Sequence, residues 1–276
     1  MGDYLRPRGL EEALQALSRP LTVLAGGTDF YPARVGRAVT EDVLDITGIA
    51  ALRGISETSA GWRLGATTSW SELVEADLPP MFDGLKQAAR EVGGRQIQNS
   101  GTIAGNVCNA SPAADGVPAL LALDSEVELA SGDGRRRVPI SAFITGVRKT
   151  ELRPGELVVA LHVPRPKHDS RSAFLKLGAR RYLVISIAMA SVVIEVENRR
   201  VAVARVAVGA CSPVAQRLPA LEEALIGAPV DARLGERVAA SQLSPLSPID
   251  DVRGSARYRS DAALVLLRRL LSKVAA

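Results

Sequence analysis

The residues that most often carry chemistry are scarce. The 276 residues include two cysteines, Cys108 and Cys211, and two histidines, His162 and His168. A structural zinc site or an all-cysteine iron–sulfur cluster needs about four ligands, so two cysteines build neither. A cytosolic setting argues against their forming a disulfide. The histidines fall in and just after the strand-like "LVVALHVP", where they read as surface or edge-strand residues, and no metal site is assigned. Aromatic residues make up 4% of the chain, too few for the stacking platforms that hold single-stranded nucleic acid. No helix–turn–helix or finger pattern accompanies them, so nucleic acid is not an expected partner. No apolar run reaches 18 residues, so no membrane span is expected. The start, "MGDYLRPRGLEEAL", lacks the charged-then-apolar order of a secretory signal, which points to the cytoplasm. No catalytic triad, carboxylate pair or metal-ligand cluster is visible.

Hydrophobic residues make up 47% of the chain, enough for a core and for more than one domain. The net charge is +4, with arginines clustered at 135–137, 180–181, 199–200 and 268–269. This pattern fits a solvated basic surface, an anionic cofactor or an acidic partner subunit. Patterning predicts a helix over 9–18, strands at 21–25 and 42–46, and a short helix over 28–36 between those strands. Pro32 is tolerated there if it stands in the first turn, whose amides lack intrahelical partners. Two short strands around a Ser-Ala-Gly turn follow, then a helix opened by the capping-box pair Ser69 and Glu72. A helix over 81–93 ends at two glycines. Residues 98–116 break all periodicity and read as a loop. Helix resumes at 117–124, and three strands follow up to Pro164. The last third carries three long strands, 172–178, 183–197 and 200–210, the latter two paired through Asn198-Arg199. Three helices close the chain: "ALEEALIG", "DARLGERVAASQL" and "ARYRSDAALVLLRRLLSKVA". The class is α+β. The expected domains are 1–55, 56–166 and 167–276.

Two stretches carry ligand chemistry. In "TVLAGGTDFYPARVG" an apolar strand runs into Gly26 and Gly27 and then into the expected helix. Strand, glycine turn and helix start turn free N–H groups toward an anion, and glycine lets a ligand approach where a Cβ would stand in the way. Thr28 adds a hydroxyl, and Asp29 would cap the helix or accept from a ligand hydroxyl, since a carboxylate repels phosphate. A plain tight turn accounts for this stretch when it is taken alone. The second, "NSGTIAGNVCNASPAAD", is built of small, hydroxyl and amide side chains with Gly101 and Gly105 between them. It cannot fill a core unaided, and structureless loops beyond about 12 residues are usually functional or disordered. Ile103, Val107 and Cys108 need burial, which argues for order. A polar, extended, anionic ligand such as a dinucleotide diphosphate would satisfy the donors.

With these stretches in place, the chain resembles the FAD-binding subunit of the molybdenum hydroxylases. That group contains xanthine dehydrogenase and the medium subunit of aerobic carbon monoxide dehydrogenase. "AGGTD" (25–29) is similar to the family's first flavin motif. "TIAGN" (102–106) is similar to the second, usually T-I-G-G-N, with Ala104 in place of a glycine. "ASPAAD" (110–115), "FLKLGARR" (174–181) and the closing "DVRGSARYRSDAALVLLRRLL" resemble further family segments. The matches run in order from residue 4 to about 273.

The resemblance implies two α/β subdomains of the vanillyl-alcohol-oxidase (PCMH) FAD fold, then a C-terminal domain with a three-stranded antiparallel sheet and helices. It implies noncovalent FAD, with diphosphate and ribityl held by backbone amides of Ala25, Gly26, Gly27, Thr28 and Asp29 and of Thr102, Ile103, Ala104, Gly105 and Asn106. Asp115 would bond a cofactor hydroxyl, Val158 would pack on the ring, and Lys176 would lie beside the isoalloxazine as a flavin-tuning residue. A lysine within an apolar strand must also reach a partner, because a buried unpaired ammonium is costly. Where many relatives carry an acidic residue after the arginine pair, this chain has Leu183 and Val184. Covalent attachment would need a His, Cys or Tyr beside the ring, and Cys108 is expected to be buried and unmodified. The implied partners are a large molybdopterin subunit and a small iron–sulfur subunit, in a heterotrimer or its dimer. Electrons would pass from iron–sulfur clusters through FAD to an external acceptor. Two other readings stand beside it: a stand-alone flavin oxidoreductase, and a basic non-enzymatic module of the same fold without flavin. A Rossmann dehydrogenase is disfavoured, because "GGTDFYPARVG" lacks the G-x-G-x-x-G spacing.

Overall fold

In the computed structural model, which describes residues 2–276, the chain opens with the two-residue strand β1 (Tyr4–Leu5). α1 (Leu10–Ala16) follows. Its Leu10, Ala13 and Leu14 lie at helical spacing, and Glu11 and Glu12 occupy the first turn, where carboxylates suit the helix dipole. β2 (Thr22–Leu24) and β3 (Val43–Asp45) complete a parallel sheet of order β1-β3-β2. The helix expected over 28–36 is absent, and only a 3₁₀ turn, Pro32–Arg34, forms there. Pro32 has no N–H to give Thr28, so an α-helix starting at Thr28 loses a bond in its first full turn. Gly36, at φ +76, then turns the chain away.

β4 (Ile55–Thr58) and β5 (Gly61–Gly65) form the expected hairpin. Five helices come next: α2 (Trp70–Glu75), α3 (Asp83–Glu91), α4 (Arg95–Ser100), α5 (Ile103–Asn109) and α6 (Gly116–Ala122). The capping box of α2 is present. Ser69 Oγ accepts from the Glu72 amide at 3.2 Å, and Glu72 Oε2 accepts from the Ser69 amide at 2.8 Å. Residues 98–116 are therefore largely helical, contrary to the loop expectation. Ile103, Ala104 and Val107 face the core, and Thr102 Oγ1 caps α5 by accepting from the Gly105 amide at 3.0 Å. After α6 come β6 (Glu126–Ser131), β7 (Gly134–Pro139), the single turn α7 (Ile140–Phe143), the small hairpin of β8 (Ile144–Gly146) and β9 (Lys149–Thr150), and β10 (Leu157–Pro164). The antiparallel order β4-β5-β10-β6-β7 puts β10 at the centre, which explains its unbroken buried run from Leu157 to Leu161. Leu157 and Val159 pack with Leu44, Ile46 and Ile49 of the first unit, while Val158 and Leu161 join the core under the helices. The two faces of β10, exchanged at the irregularity between Val158 and Ala160, set the first sheet against the second.

The last third holds β11 (Asp169–Leu177), β12 (Ala188–Glu197), β13 (Arg200–Gly209) and the two-residue β14 (Gln216–Arg217), antiparallel in that order. The three long strands match the expected sheet, and β14 adds a short fourth. β12 and β13 meet at Glu197↔Arg200 through Asn198 and Arg199, both at positive φ (50 and 60), the geometry of a two-residue hairpin turn. β12 begins at Ala188 rather than 183, because Leu183 at φ 52 breaks the extended run. α8 (Pro219–Leu225) and α9 (Ala256–Ala275) cover one face of this sheet, α9 through Leu267, Leu270 and Leu271. The expected helix over 231–243 is replaced by two 3₁₀ turns, Leu234–Arg237 and Ala240–Leu243. Gly235 lies so close to α9 that a Cβ there would stand 2.2 Å from the Arg268 carbonyl oxygen. Backbone contact, rather than a helical ladder, holds that segment.

Candidate functional site

The two glycine segments meet. At Gly26 an added Cβ would stand 2.1 Å from the Ser100 carbonyl oxygen and 2.8 Å from Gly101 Cα. At Gly101 it would lie 3.4 Å from Thr28 Oγ1. Residues about 75 positions apart in sequence thus approach backbone to backbone, which only glycine permits at Gly26. Gly27 has φ +70, a backbone conformation that residues with a side chain rarely adopt, and sits against the exposed Tyr31 ring. Above this junction opens a cleft of about 500 Å³ between the first bend, the start of α5 and the start of β10.

Ten of the thirteen residues assigned from sequence line this cleft. They are Ala25 to Asp29 on one wall, Thr102, Ala104, Gly105 and Asn106 on the other, and Val158 on the floor. Ile103 is fully buried behind the second wall, in the core. Among the described residues, the amides of Gly26, Gly27, Thr28 and Asp29 find no protein acceptor. Of the second motif, the Ile103 amide donates to the Thr68 carbonyl at 3.0 Å and the Asn106 amide to the Thr102 carbonyl at 3.1 Å. The Gly105 amide is held by the Thr102 cap. Among the described residues the amides of Thr102 and Ala104 find no protein acceptor either, so the first bend offers four open donors and the second wall two, set in a smooth, small-residue surface. Asn106 Oδ1 is buried with no hydrogen-bond partner among the described residues, an acceptor that a ligand donor would satisfy.

Asp115 and Lys176 find each other. Lys176 Nζ lies 2.6 Å from Asp115 Oδ2, with side-chain exposures of 4% and 9%. Ser186 Oγ donates to Asp115 Oδ1 at 2.5 Å, and Lys176 Nζ donates to the Glu91 carbonyl at 3.2 Å. Burial pushes the Asp115 carboxyl up, while the ammonium and the Ser186 hydroxyl pull it down. The pair does not line the cleft but lies behind it. Its contact Glu91 precedes the lining residue Val92, and Asp115 precedes Gly116, where a Cβ would come 3.0 Å from Asn106 Oδ1. The partner that sequence reasoning required for a buried lysine is thus a carboxylate of the same chain.

Cys108 is exposed and lines the cleft, contrary to the expectation of burial, whereas Cys211 is buried. On α5 the core face is carried by Ile103 and Val107, and Cys108, one residue on, turns toward the opening. Asp29 does not cap a helix. Its Oδ2 accepts from Arg148 Nη1 at 2.9 Å, a residue that sequence reasoning did not single out. A second cleft of about 770 Å³, bordered by Trp62, Arg137 and His162, lies at the far end of β10 and contains none of the assigned residues.

The arrangement corresponds to a known family. The family model described as the FAD binding domain in molybdopterin dehydrogenase matches residues 1–166. The chain belongs to that family. Residues 173–274 match the CO dehydrogenase flavoprotein C-terminal domain. The chain is 30% identical over 280 residues to the putative xanthine dehydrogenase FAD-binding subunit of Escherichia coli, covering 99% of this chain and 96% of that protein. It is 30% identical to the carbon monoxide dehydrogenase medium chain of Afipia carboxidovorans, again covering 99% and 96%. Its fold superposes on a chain of carbon monoxide dehydrogenase from Hydrogenophaga pseudoflava with a TM-score of 0.89 at 28% identity, over 99% of this chain and 96% of that one. The chain thus carries the two-subdomain FAD-binding fold of the vanillyl-alcohol-oxidase type followed by the flavoprotein C-terminal domain, and it is a flavoprotein subunit of the oxidoreductase class. No helix among the described residues is long and apolar enough to cross a membrane.

The residues present suit an FAD group. Open consecutive amides at a side-chain-free bend match a diphosphate, the orphaned Asn106 oxygen matches a ligand donor, and Leu157, Val158 and Trp70 give an apolar wall for a ring.

Proposed function

We propose that this chain is the FAD-carrying electron-transfer subunit of a multi-subunit molybdenum-containing hydroxylase or dehydrogenase. It takes electrons from iron–sulfur clusters of a small partner subunit and passes them to an external acceptor, while a large molybdopterin subunit oxidises the substrate. The observation that carries the reading is the backbone contact of Gly26 with Ser100 and Gly101, which brings both flavin motifs of the family to one cleft.

Bound FAD supplies the redox chemistry that side chains lack. The chain's own residues bind and orient it. The amides of Gly26 to Asp29 hold the anionic linker, and Thr102 keeps the second wall in place by capping α5. Asn106 Oδ1 accepts from the ligand, and Val158 with Leu157 excludes water from the floor. Lys176 keeps its role as the flavin-tuning residue. It acts as a pair with Asp115 rather than as a lone charge, so its field is partly cancelled.

The chain has two tryptophans, and only Trp70 lines this cleft, since Trp62 borders the other one. Titrating a Trp62→Phe variant with FAD therefore reports entry into this cleft. Saturable quenching of Trp70 together with a bound-flavin visible spectrum is the expected result. A protein that ignores added FAD would instead favour a binding module without flavin. Co-purification with large and small subunits separates a complex subunit from a stand-alone flavin oxidoreductase, and both partners are the expected result.

A further inference from the structure

Asp29 poses an electrostatic problem. It is the one anionic side chain among the described residues lining the cleft, and its own amide belongs to the row of open donors that suits an anion. Arg34, which also lines the cleft, is occupied by Glu41 at 2.5 Å and stacks on the Phe30 ring. Left alone, the Asp29 carboxylate would oppose any phosphate reaching those amides.

The structure supplies an opposing charge from far along the chain. Arg148 sits in the turn between β8 and β9 at φ +57, an unusual conformation for a residue with a side chain. Its amide donates to the Ala110 carbonyl at 2.9 Å, which fastens this turn to the residue just past α5. From there Nη1 reaches Asp29 Oδ2 at 2.9 Å, the Asn109 carbonyl at 3.3 Å and the Asn109 side-chain oxygen. One guanidinium nitrogen thus joins the end of the first flavin motif to the end of the helix that carries the second. Both contacting side chains, Asp29 and Asn109, line the cleft, while Arg148 itself stands just outside it. The pair is solvent-accessible, 52% and 60% exposed, so it adds little to folding stability. Its charge balance falls on the cleft.

We propose that Arg148 is a positioning residue for the cofactor: held by Ala110 and Asn109, it cancels the Asp29 charge so that the first bend can accept a diphosphate. This rests on the reading of the cleft as the FAD site.

The test is a double-mutant cycle on the complete chain, with FAD as the probe and Trp70 quenching as the readout. Arg148→Met exposes the carboxylate and is expected to weaken FAD binding about tenfold, the scale of one charge-assisted contact. Asp29→Asn combined with Arg148→Met removes the unopposed charge and is expected to return affinity to within about threefold of wild type. Raising the salt concentration should shrink the Arg148→Met defect, because screening weakens charge repulsion and not a geometric fault. An Arg148→Met protein that binds FAD as wild type does, or a double variant as weak as Arg148→Met alone, overturns the proposal while leaving the cleft assignment standing. A wild-type chain that takes up no FAD overturns the cleft assignment itself.

Discussion

Substituting Gly26 by alanine adds a single methyl at the place where the two bends touch. Its Cβ would lie 2.1 Å from the Ser100 oxygen, against about 3.4 Å for an ordinary contact, and both nearest neighbours are backbone. Neither can rotate away, so the first bend and the end of α4 must separate by roughly an ångström. Overpacking of this kind typically lowers stability by about 1–3 kcal/mol. The larger consequence falls on the cofactor, since the bends set the cleft's width. Ligand present at 100 times its Kd stabilises a protein by about 2.7 kcal/mol. For a chain of this size that raises Tm by roughly 5–10 °C. The assay is thermal unfolding of wild type and Gly26→Ala with and without FAD. Wild type should show the full upshift, and Gly26→Ala should start lower and gain about 1 °C or less. Gly9→Ala is the matched control, because nothing lies within 4 Å of a Cβ there, and it should keep the full upshift. An FAD-dependent upshift in Gly26→Ala equal to that of wild type would mean that the contact between bends does not shape the site.

Gly105→Val puts a branched side chain on the second wall, 2.7 Å from the Thr102 hydroxyl that caps α5. It should lose flavin retention and about 1 kcal/mol of stability from the disturbed cap, measured by flavin absorbance and urea unfolding; normal flavin content would remove the second motif from the site. Lys176→Met leaves the Asp115 carboxylate buried without its cation and should destabilise the chain by about 3–5 kcal/mol, most of it recovered in a variant that also carries Asp115→Asn. The pH dependence follows from the carboxyl's upward shift. With the cation gone, the folded-state value rises further above the unfolded one, so the defect is full above the folded value and shrinks as the pH falls through it and the carboxyl takes a proton. A defect that does not shrink as the pH is lowered would contradict that assignment.

Short-range chemistry was readable in the chain before its structure. The Ser69–Glu72 box, the Asn198-Arg199 hairpin and the buried β10 follow from residues that act on near neighbours or on one period. The glycine bends were visible for the same reason, because an absent side chain marks a place where something must approach. The misreadings have physical causes as well. Pro32 stops a helix that composition alone would allow, since its missing amide falls in the first full turn. Residues 98–116 read as a loop because small and amide residues have weak helical preference, whereas the core burial of Ile103 and Val107 turns α5 helical. Gly235 cannot announce that α9 will press on its backbone. The pairings that complete the site span long separations: 61 residues from Asp115 to Lys176, and 119 from Asp29 to Arg148. No local pattern encodes such contacts, and Arg148 is one arginine among many surface arginines until the fold sets it against Asp29.

The measurement closest to the central claim is amide hydrogen exchange of the whole chain with and without FAD. Without ligand, the amides of Gly26 to Asp29 have no protein acceptor and should exchange rapidly. With FAD bound, these four amides and the α5 segment from Thr102 to Asn106 should slow together, with no change around Trp62 and His162 at the other cleft. Protection that spares Gly26 to Asp29, or that appears only at the other cleft, would contradict the account.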